Sequence, residues 1–341
     1  MAATTVIGLD IGTMSVRAAE SSRGKDGPVI TTCAEMPLPA GSVVGGVIQD
    51  EKAVTLAIRQ LYASTKFRTR MVVLGVTNPQ SVVREMTVAN LPPKELRESL
   101  PFQVRDLLPL PVDRAVLDFL PLENPGRNET VRGLLVAAPK GPVLTAVHAV
   151  ERAGLSVIRV DLTSLALLRA AARLDDQVEA IVDIGTQITT VVVHSDGIPL
   201  IVRTIPRGGA ELTTAVSNRL AIPIAEAEER KCQVGLRPEK GPEVADAVRE
   251  AIKPLLNEIR GSFAYLTTGG RHAQVSRLIL SGGGAMLPGL PETLASQLDV
   301  EVDGADPLSR LRRIRRGRRE GATELIPPSA LVAVGLTLGA A

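Results

Sequence analysis

The chain has 341 residues, 45% hydrophobic and 22% charged, with a formal net charge of +2, two cysteines and no Trp. That length is enough for two domains, and the near-neutral charge balance excludes the global basic footprint of a nucleic-acid binder. Four Phe and two Tyr are too few for base-stacking RNA modules, and Cys33 and Cys232 lie far apart with no neighbouring His, which excludes a Cys/His metal site or a disulfide framework. The first residues, Met1-Ala2-Ala3-Thr4-Thr5, have neither a basic nor an apolar signal region, and no apolar run reaches the ~18 residues of a membrane span, so a cytoplasmic setting is expected.

Val6-Ile7-Gly8-Leu9-Asp10-Ile11-Gly12-Thr13 reads as an apolar strand ending in a tight turn, with an acid at its lip. Strand patterns follow at 15–20 and 29–34, separated by a Gly/Asp/Pro turn at 23–28. Ala53, Leu56, Ala57 and Leu61 fall at helical spacing within 49–64, and 71–76 is a further strand. From about 87 to 157 the pattern has no counterpart elsewhere. Pro92 and Pro93 start a helix to about 108; strands at 115–121 and 131–138, a helix at 143–153 and a closing strand complete an inserted module.

The second half restarts the first. Ala180-Ile181-Val182-Asp183-Ile184-Gly185-Thr186 repeats the opening pattern, with the two aspartates 173 positions apart (183 − 10). A strand at 189–193, a hairpin signal at Ser195-Asp196-Gly197 and a strand at 198–205 follow. Gly208-Gly209 then opens a helix with Leu212, Val216 and Leu220 on one face. Matching element order around matching turns marks an internal duplication. Residues 223–275 read as helical, and 277–280 as a strand running into Ser281-Gly282-Gly283-Gly284. The expected division is a first lobe over 1–86 and 158–177, the insert over 87–157, a second lobe over 178–207 and 276–341, and a helical subdomain over 208–275.

The turns carry the chemistry. Gly12 and Gly185 let the backbone approach a phosphate, and successive N–H groups there form a concave anion site. Thr13, Ser15 and Thr186 add hydroxyl donors, and Arg17 adds a cation. Asp10 and Asp183 suit Mg2+ held through its waters. A lone Asp-x-Gly reads as a turn; two in matched contexts read as paired phosphate turns. Gly282, Gly283 and Gly284, with Met286 beyond them, admit a flat base or ribose. Glu228 and Lys231 share a helical face; spacing alone favours a solvated pair over a bracket on the ribose or adenine edge. Asp161 reads either as a water-orienting acid or as the N-cap of a helix at 163–173, the N-cap being favoured. The arginine-rich stretch at 310–319 reads as a solvated loop, with an anionic lipid or acidic protein surface as the sharper alternative.

The two Asp-Ile-Gly turns and the Ser-Gly-Gly-Gly turn resemble the phosphate and adenosine motifs of the actin, sugar kinase and Hsp70 superfamily. Leu91-Pro92, Glu95-Leu96, Leu108-Pro109-Leu110-Pro111, Leu117-Asp118-Phe119, the run from Leu135 to Lys140, and Ala153-Gly154-Leu155 narrow the resemblance. Within the superfamily the chain resembles the PilM family of type IV pilus assembly proteins and, more distantly, the FtsA division proteins. The resemblance implies a duplicated, actin-like (ribonuclease H-like) two-lobed α/β fold with an inserted α+β subdomain. It implies ATP and Mg2+ between the lobes, with slow hydrolysis or none. Asp10, Gly12, Thr13, Arg17, Asp183, Gly185, Thr186, Gly208, Gly209, Glu228, Lys231, Gly282, Gly283 and Gly284 match nucleotide-binding positions. It also implies a groove beside the insert, tuned by nucleotide-dependent closure of the lobes, for the cytoplasmic N-terminal peptide of a PilN-like membrane protein, and recruitment to the inner face of the cytoplasmic membrane. On the sharper reading of the arginine stretch, the acidic protein surface it would meet is that of a pilus motor ATPase. That stretch departs from the family pattern. The end at Ala341, without the amphipathic tail of FtsA-like proteins, favours PilM over FtsA. The alternatives are an FtsA-like division or cytoskeletal filament protein and, less favoured, a sugar kinase.

Overall fold

Two five-stranded sheets with the same strand order account for the repeat. The structure, a computed structural model, describes residues 5–24, 27–105, 107–123, 126, 129–268, 273–306 and 328–339; the arginine-rich stretch lies outside the described residues. Lobe one opens with β1 (Val6–Ile11), β2 (Ser15–Gly24) and β3 (Gly27–Pro37). A small hairpin, β4 (Val43–Val44) and β5 (Val47–Ile48), leads to α1 (Glu51–Ser64). Asp50 caps α1 by accepting the Ala53 N–H at 3.0 Å, which contributes about 1 kcal/mol. Strand β6 (Met71–Val76) then pairs parallel with β1.

The next strand, β7 (Val82–Ala89), leaves the lobe. With β8 (Ala115–Pro121) and β9 (Thr130–Pro139) it forms a separate sheet in the order β7-β9-β8. Helix α2 (Pro93–Gln103) covers one face of it, burying Leu100 against Val88, Phe119, Val131 and Leu135. This sheet begins before residue 87. The pieces after it rejoin lobe one: α3 (Lys140–Arg152) packs Ala146, Ala149 and Val150 with Ile58 and Leu61 of α1, and β10 (Ser156–Leu162) pairs parallel with β6. Lobe one therefore reads β10-β6-β1-β2-β3. Helix α4 (Thr163–Ala171) crosses toward lobe two.

Lobe two repeats the scheme with β11 (Val178–Ile184), β12 (Thr189–Ser195) and β13 (Ile198–Ile205). Helices α5 (Gly209–Leu220), α6 (Ile224–Val234) and α7 (Pro242–Thr268) pack together on its outer face. Strand β14 (Arg277–Ser281), helix α8 (Leu290–Leu298) and strand β15 (Glu301–Gly304) complete the order β13-β12-β11-β14-β15. In both sheets the first strand pairs antiparallel with the second and parallel with a later strand.

The last helix, α9 (Leu331–Leu338), is apolar and buried from Leu331 to Thr337. A helix apolar all round belongs in a core, and α9 lies against β1, β2, β6 and α4, so the chain's final helix packs on lobe one although it follows lobe two in sequence. Leu331, Val332 and Leu336 join Ala166 and Leu167 of α4 in one cluster with Val73 of lobe one and Ile181, Val192 and Ile279 of lobe two. The helices cross closely: a Cβ on Gly335 would overlap the Ala166 carbonyl, and one on Gly8 the Ala333 carbonyl. Among the described residues no helix is long and apolar enough to cross a membrane.

Candidate functional site

Strand register aims the two aspartates at each other. Side chains alternate faces along a strand. In β1, Ile7 and Leu9 pack outward into the α1–α3 core, so Gly8 and Asp10 face the inter-lobe helices. In β11, Ile181 joins the inter-lobe cluster, so Asp183 shares that inner face. Both acids stand at the ends of their strands, where a turn follows. The turns are closed alike, by the Gly12 N–H donating to the Ser15 carbonyl and the Gly185 N–H to the Ile188 carbonyl, each at 2.9 Å.

The first turn carries charge. Arg17 stands opposite Asp10 on β2, and Glu35 opposite Arg17 on β3. The guanidinium lies 3.8 Å from Asp10, and its Nε donates to Glu35 Oε1 at 3.1 Å. A Cβ on Gly12 would meet Arg17 Nη1 at 3.4 Å, so the cation sits over the turn glycine. The Ser15 hydroxyl donates to Glu35 at 2.5 Å, which engages the donor expected to face a phosphate. Thr13 is half-buried on the turn itself. Glu35 was not visible in the sequence; only the β2–β3 pairing brings it beside Arg17.

The second turn is built on backbone. The N–H groups of Gly209 and Ala210, at the start of α5, donate to the carbonyls of Gly185 and Thr186 at 2.9 and 2.8 Å. A Cβ on Gly208 would overlap the Gly185 carbonyl. On the other side, Gly282 takes φ 80°, and a Cβ there would stand 3.0 Å from Asp183 Oδ1; Gly284 presses on Ile184. Gly283 faces open space and Met286 is 72% exposed, so the loop presents backbone and one flexible apolar side chain to the cleft. Residues 283–286 form a 3-10 turn rather than a free loop.

Of the Glu228–Lys231 pair only the lysine is buried; the Glu228 side chain is half exposed. Lys231 is 7% exposed, and its Nζ donates to Glu228 Oε2 at 2.7 Å, to Thr213 Oγ1 at 3.0 Å and to the Gly209 carbonyl at 3.4 Å. Spacing could not show this, because the burial comes from α6 docking on the start of α5. Lys231 holds that start in place behind the second turn.

Electrostatics link the lobes. Burial pushes the Asp10 carboxyl up to about 6; Arg17 opposes this, while Asp183 and Glu35 add to it. Burial likewise raises Asp183, against Ser281 and the Arg17 of the other lobe. Buried Asp10 and half-buried Asp183 share one nearby guanidinium, a donor set that suits a divalent cation. Asp10 and Asp183 would hold such an ion, and it would neutralise charge on a bound phosphate chain.

Asp161 is neither a free acid nor an N-cap. It lies in register with Gly75, hence in the same row as Asp10. Its carboxylate is paired with Arg169 of α4 and accepts the Leu162 N–H at 2.8 Å. Leu162 occupies the cap position, with no side-chain cap bond.

A groove opens between lobe one and the inserted sheet, lined by Val43, Ile48, Val76, Ala138, Pro142 and Val143, and by Ile11 of the first turn. A smaller one lies between Val83 of the insert and Val202 of lobe two.

Two like sheets around a buried helix pair, each sheet ending in an aspartate turn on its inner face, define an actin-like two-lobed protein. The family model for type IV pilus assembly protein PilM matches residues 8–341, and the chain belongs to that family. A solved PilM–PilN type IV pilus biogenesis complex contains a similar chain, 28% identical, with TM-score 0.85 and 98% of each chain covered. The ethanolamine utilization protein EutJ from Carboxydothermus hydrogenoformans shares the fold, with TM-score 0.59 and 18% identity over 98% of this chain and 89% of that one. Cell division protein FtsA of Bacillus subtilis (strain 168) is 26% identical over 254 residues, 67% of this chain; the match spans 58% of that relative's length.

Proposed function

We propose that this protein binds ATP with Mg2+ in the cleft between its lobes, and that the groove beside the inserted sheet takes the cytoplasmic N-terminal peptide of a PilN-like membrane protein. The observation that carries this reading is the convergence of Asp10, Arg17, Asp183, Gly185, Gly208, Gly209 and Gly282 on one cleft whose first turn also lines that groove through Ile11. Membership in the PilM family and likeness to the chain of the PilM–PilN complex support the partner. Phosphates would lie on the Gly12 and Gly185 turns with Thr13, Thr186 and Arg17 as donors. The nucleoside would lie along Gly282, Gly283, Gly284 and Met286, with Glu228 and Lys231 behind it. The two lobes, the inserted sheet and the α5–α7 helices serve as the working parts. The protein acts in the cytoplasm and is held at the inner face of the membrane through its partner.

Binding rather than turnover is the expected activity, because Asp161 is tied to Arg169 and to the Leu162 N–H and is not poised to orient a water. The test is a titration of the full chain with a synthetic peptide covering the cytoplasmic N-terminus of the PilN-like protein from the same organism. Pro142→Glu places a charge in the groove at the first turn of α3, where an acid suits the helix. It is expected to weaken the peptide roughly ten-fold or more, as a desolvated unpaired charge does. Unaltered peptide affinity in Pro142→Glu would contradict the groove assignment.

A further inference from the structure

The lobes also touch beyond the cleft, at a place the sequence did not mark. The β4–β5 hairpin turns on Gly45 and Gly46, at φ 56° and 77°. The Gly45 N–H donates to the side-chain Oε1 of Gln187 at 2.8 Å, although the two residues are 142 positions apart. Gln187 sits inside the second turn, between Thr186, whose carbonyl accepts from Ala210, and Ile188, whose carbonyl closes the turn on Gly185. Its side chain leaves the turn and reaches the other lobe.

The hairpin is wedged in place. A Cβ on Gly46 would overlap the Thr77 carbonyl and stand 3.2 Å from Ile188 Cδ1. Its other side belongs to the groove: Val43, Gly46 and Ile48 line that groove with Thr77, Pro139 and Val143. Two paired strands of two residues each have little stability of their own, so what the hairpin touches sets its position. One small element therefore contacts the second turn on one side and forms the groove wall on the other.

We propose that Gln187 couples the cleft to the groove. Its hydrogen bond to Gly45 passes a displacement of the second turn to the hairpin, and the hairpin sets the width of the groove. The nucleotide state then tunes affinity for the partner peptide, and the peptide tunes affinity for the nucleotide by the same factor. Gln187 is a positioning residue: it acts through Gly45. The proposal rests on the reading of the cleft as a nucleotide site and the groove as a peptide site.

The experiment measures peptide affinity of the full chain with and without ATP and Mg2+, in the wild type, Gln187→Ala and Gln187→Glu. A coupling of roughly five-fold or more is expected in the wild type. Gln187→Ala should reduce it below about two-fold, as loss of one cross-lobe hydrogen bond allows. Gln187→Glu keeps an oxygen facing the Gly45 N–H and should retain most of it, which a merely space-filling role would not predict. Full coupling in Gln187→Ala, or equal loss in both variants, would overturn the proposal. So would a wild type that binds nucleotide and peptide independently, which leaves the binding assignments intact. A wild type that binds no peptide would overturn the functional reading itself, and this proposal with it.

Discussion

Register places one row of residues across the mouth of each lobe, and the two rows differ. In lobe one the row runs Glu35, Arg17, Asp10, Gly75, Asp161 from β3 to β10. In lobe two it runs Thr204, Thr190, Asp183, Ser281 from β13 to β14. The repeat kept the aspartate and the closed turn. It replaced the charged flanks of one lobe by hydroxyls in the other. Lobe one thus supplies a side-chain cation held between carboxylates, whereas lobe two supplies fixed backbone, from Gly185, the start of α5 and the Gly282 turn. A phosphate chain needs both: point charge for affinity and oriented N–H groups for position.

The largest expected effect comes from erasing the difference beneath these rows. Gly8 lies under the Ala333 carbonyl of α9, and its counterpart in the repeat is Ile181, a buried member of the inter-lobe cluster. Gly8→Ile makes lobe one like lobe two and drives a side chain into α9. It should destabilise the fold by at least about 3 kcal/mol, read by denaturant unfolding. A folded Gly8→Ile of ordinary stability would show that α9 does not lie tightly on lobe one.

The next effect separates stability from binding. Asp10 holds its proton more tightly in the folded protein than in the unfolded chain, since burial lifts it from 3.8 to about 6. Its contribution to stability is therefore full below about pH 3.8 and lost as pH rises through about 6. Asp10→Asn should stabilise the nucleotide-free protein by about 3 kcal/mol at pH 7.5. The gain should vanish by about pH 4. Unfolding curves at both pH values check the sign, and destabilisation at pH 7.5 would overturn the account of this carboxylate.

The smallest effect tests the rows themselves. Arg17→Ala should weaken ATP binding roughly 10- to 100-fold, the range of a charge-assisted hydrogen bond. Thr190→Val, at the matching place in lobe two, should change it less than about two-fold, because an uncharged hydroxyl beside a backbone cradle adds little. Equal losses in a calorimetric titration would erase the division of labour between the lobes.

Much of this was legible in the chain. The duplicated Asp-Ile-Gly turns, the strand Met71–Val76 and the strand Ala115–Pro121 follow from local pattern, and the structure has them at those bounds. What escaped depended on pairing across distance. Strand β7 mixes Arg84, Glu85 and Thr87 with apolar residues, and its place is set only by its register with β9. Helix α9 reads as one more apolar segment after lobe two, yet glycines 8 and 335 let it dock on lobe one. Glu35, Gln187 and the buried state of Lys231 are likewise products of tertiary contact, with no signature in residue spacing.

The central claim is that both turns hold one nucleotide. Isothermal titration of the wild type, Asp10→Ala and Asp183→Ala with ATP and Mg2+ tests it most directly. The account predicts that each substitution alone weakens binding roughly ten-fold or more, because each removes a carboxylate that faces the same ion in the proposed site. Wild-type ATP affinity in both variants would contradict it.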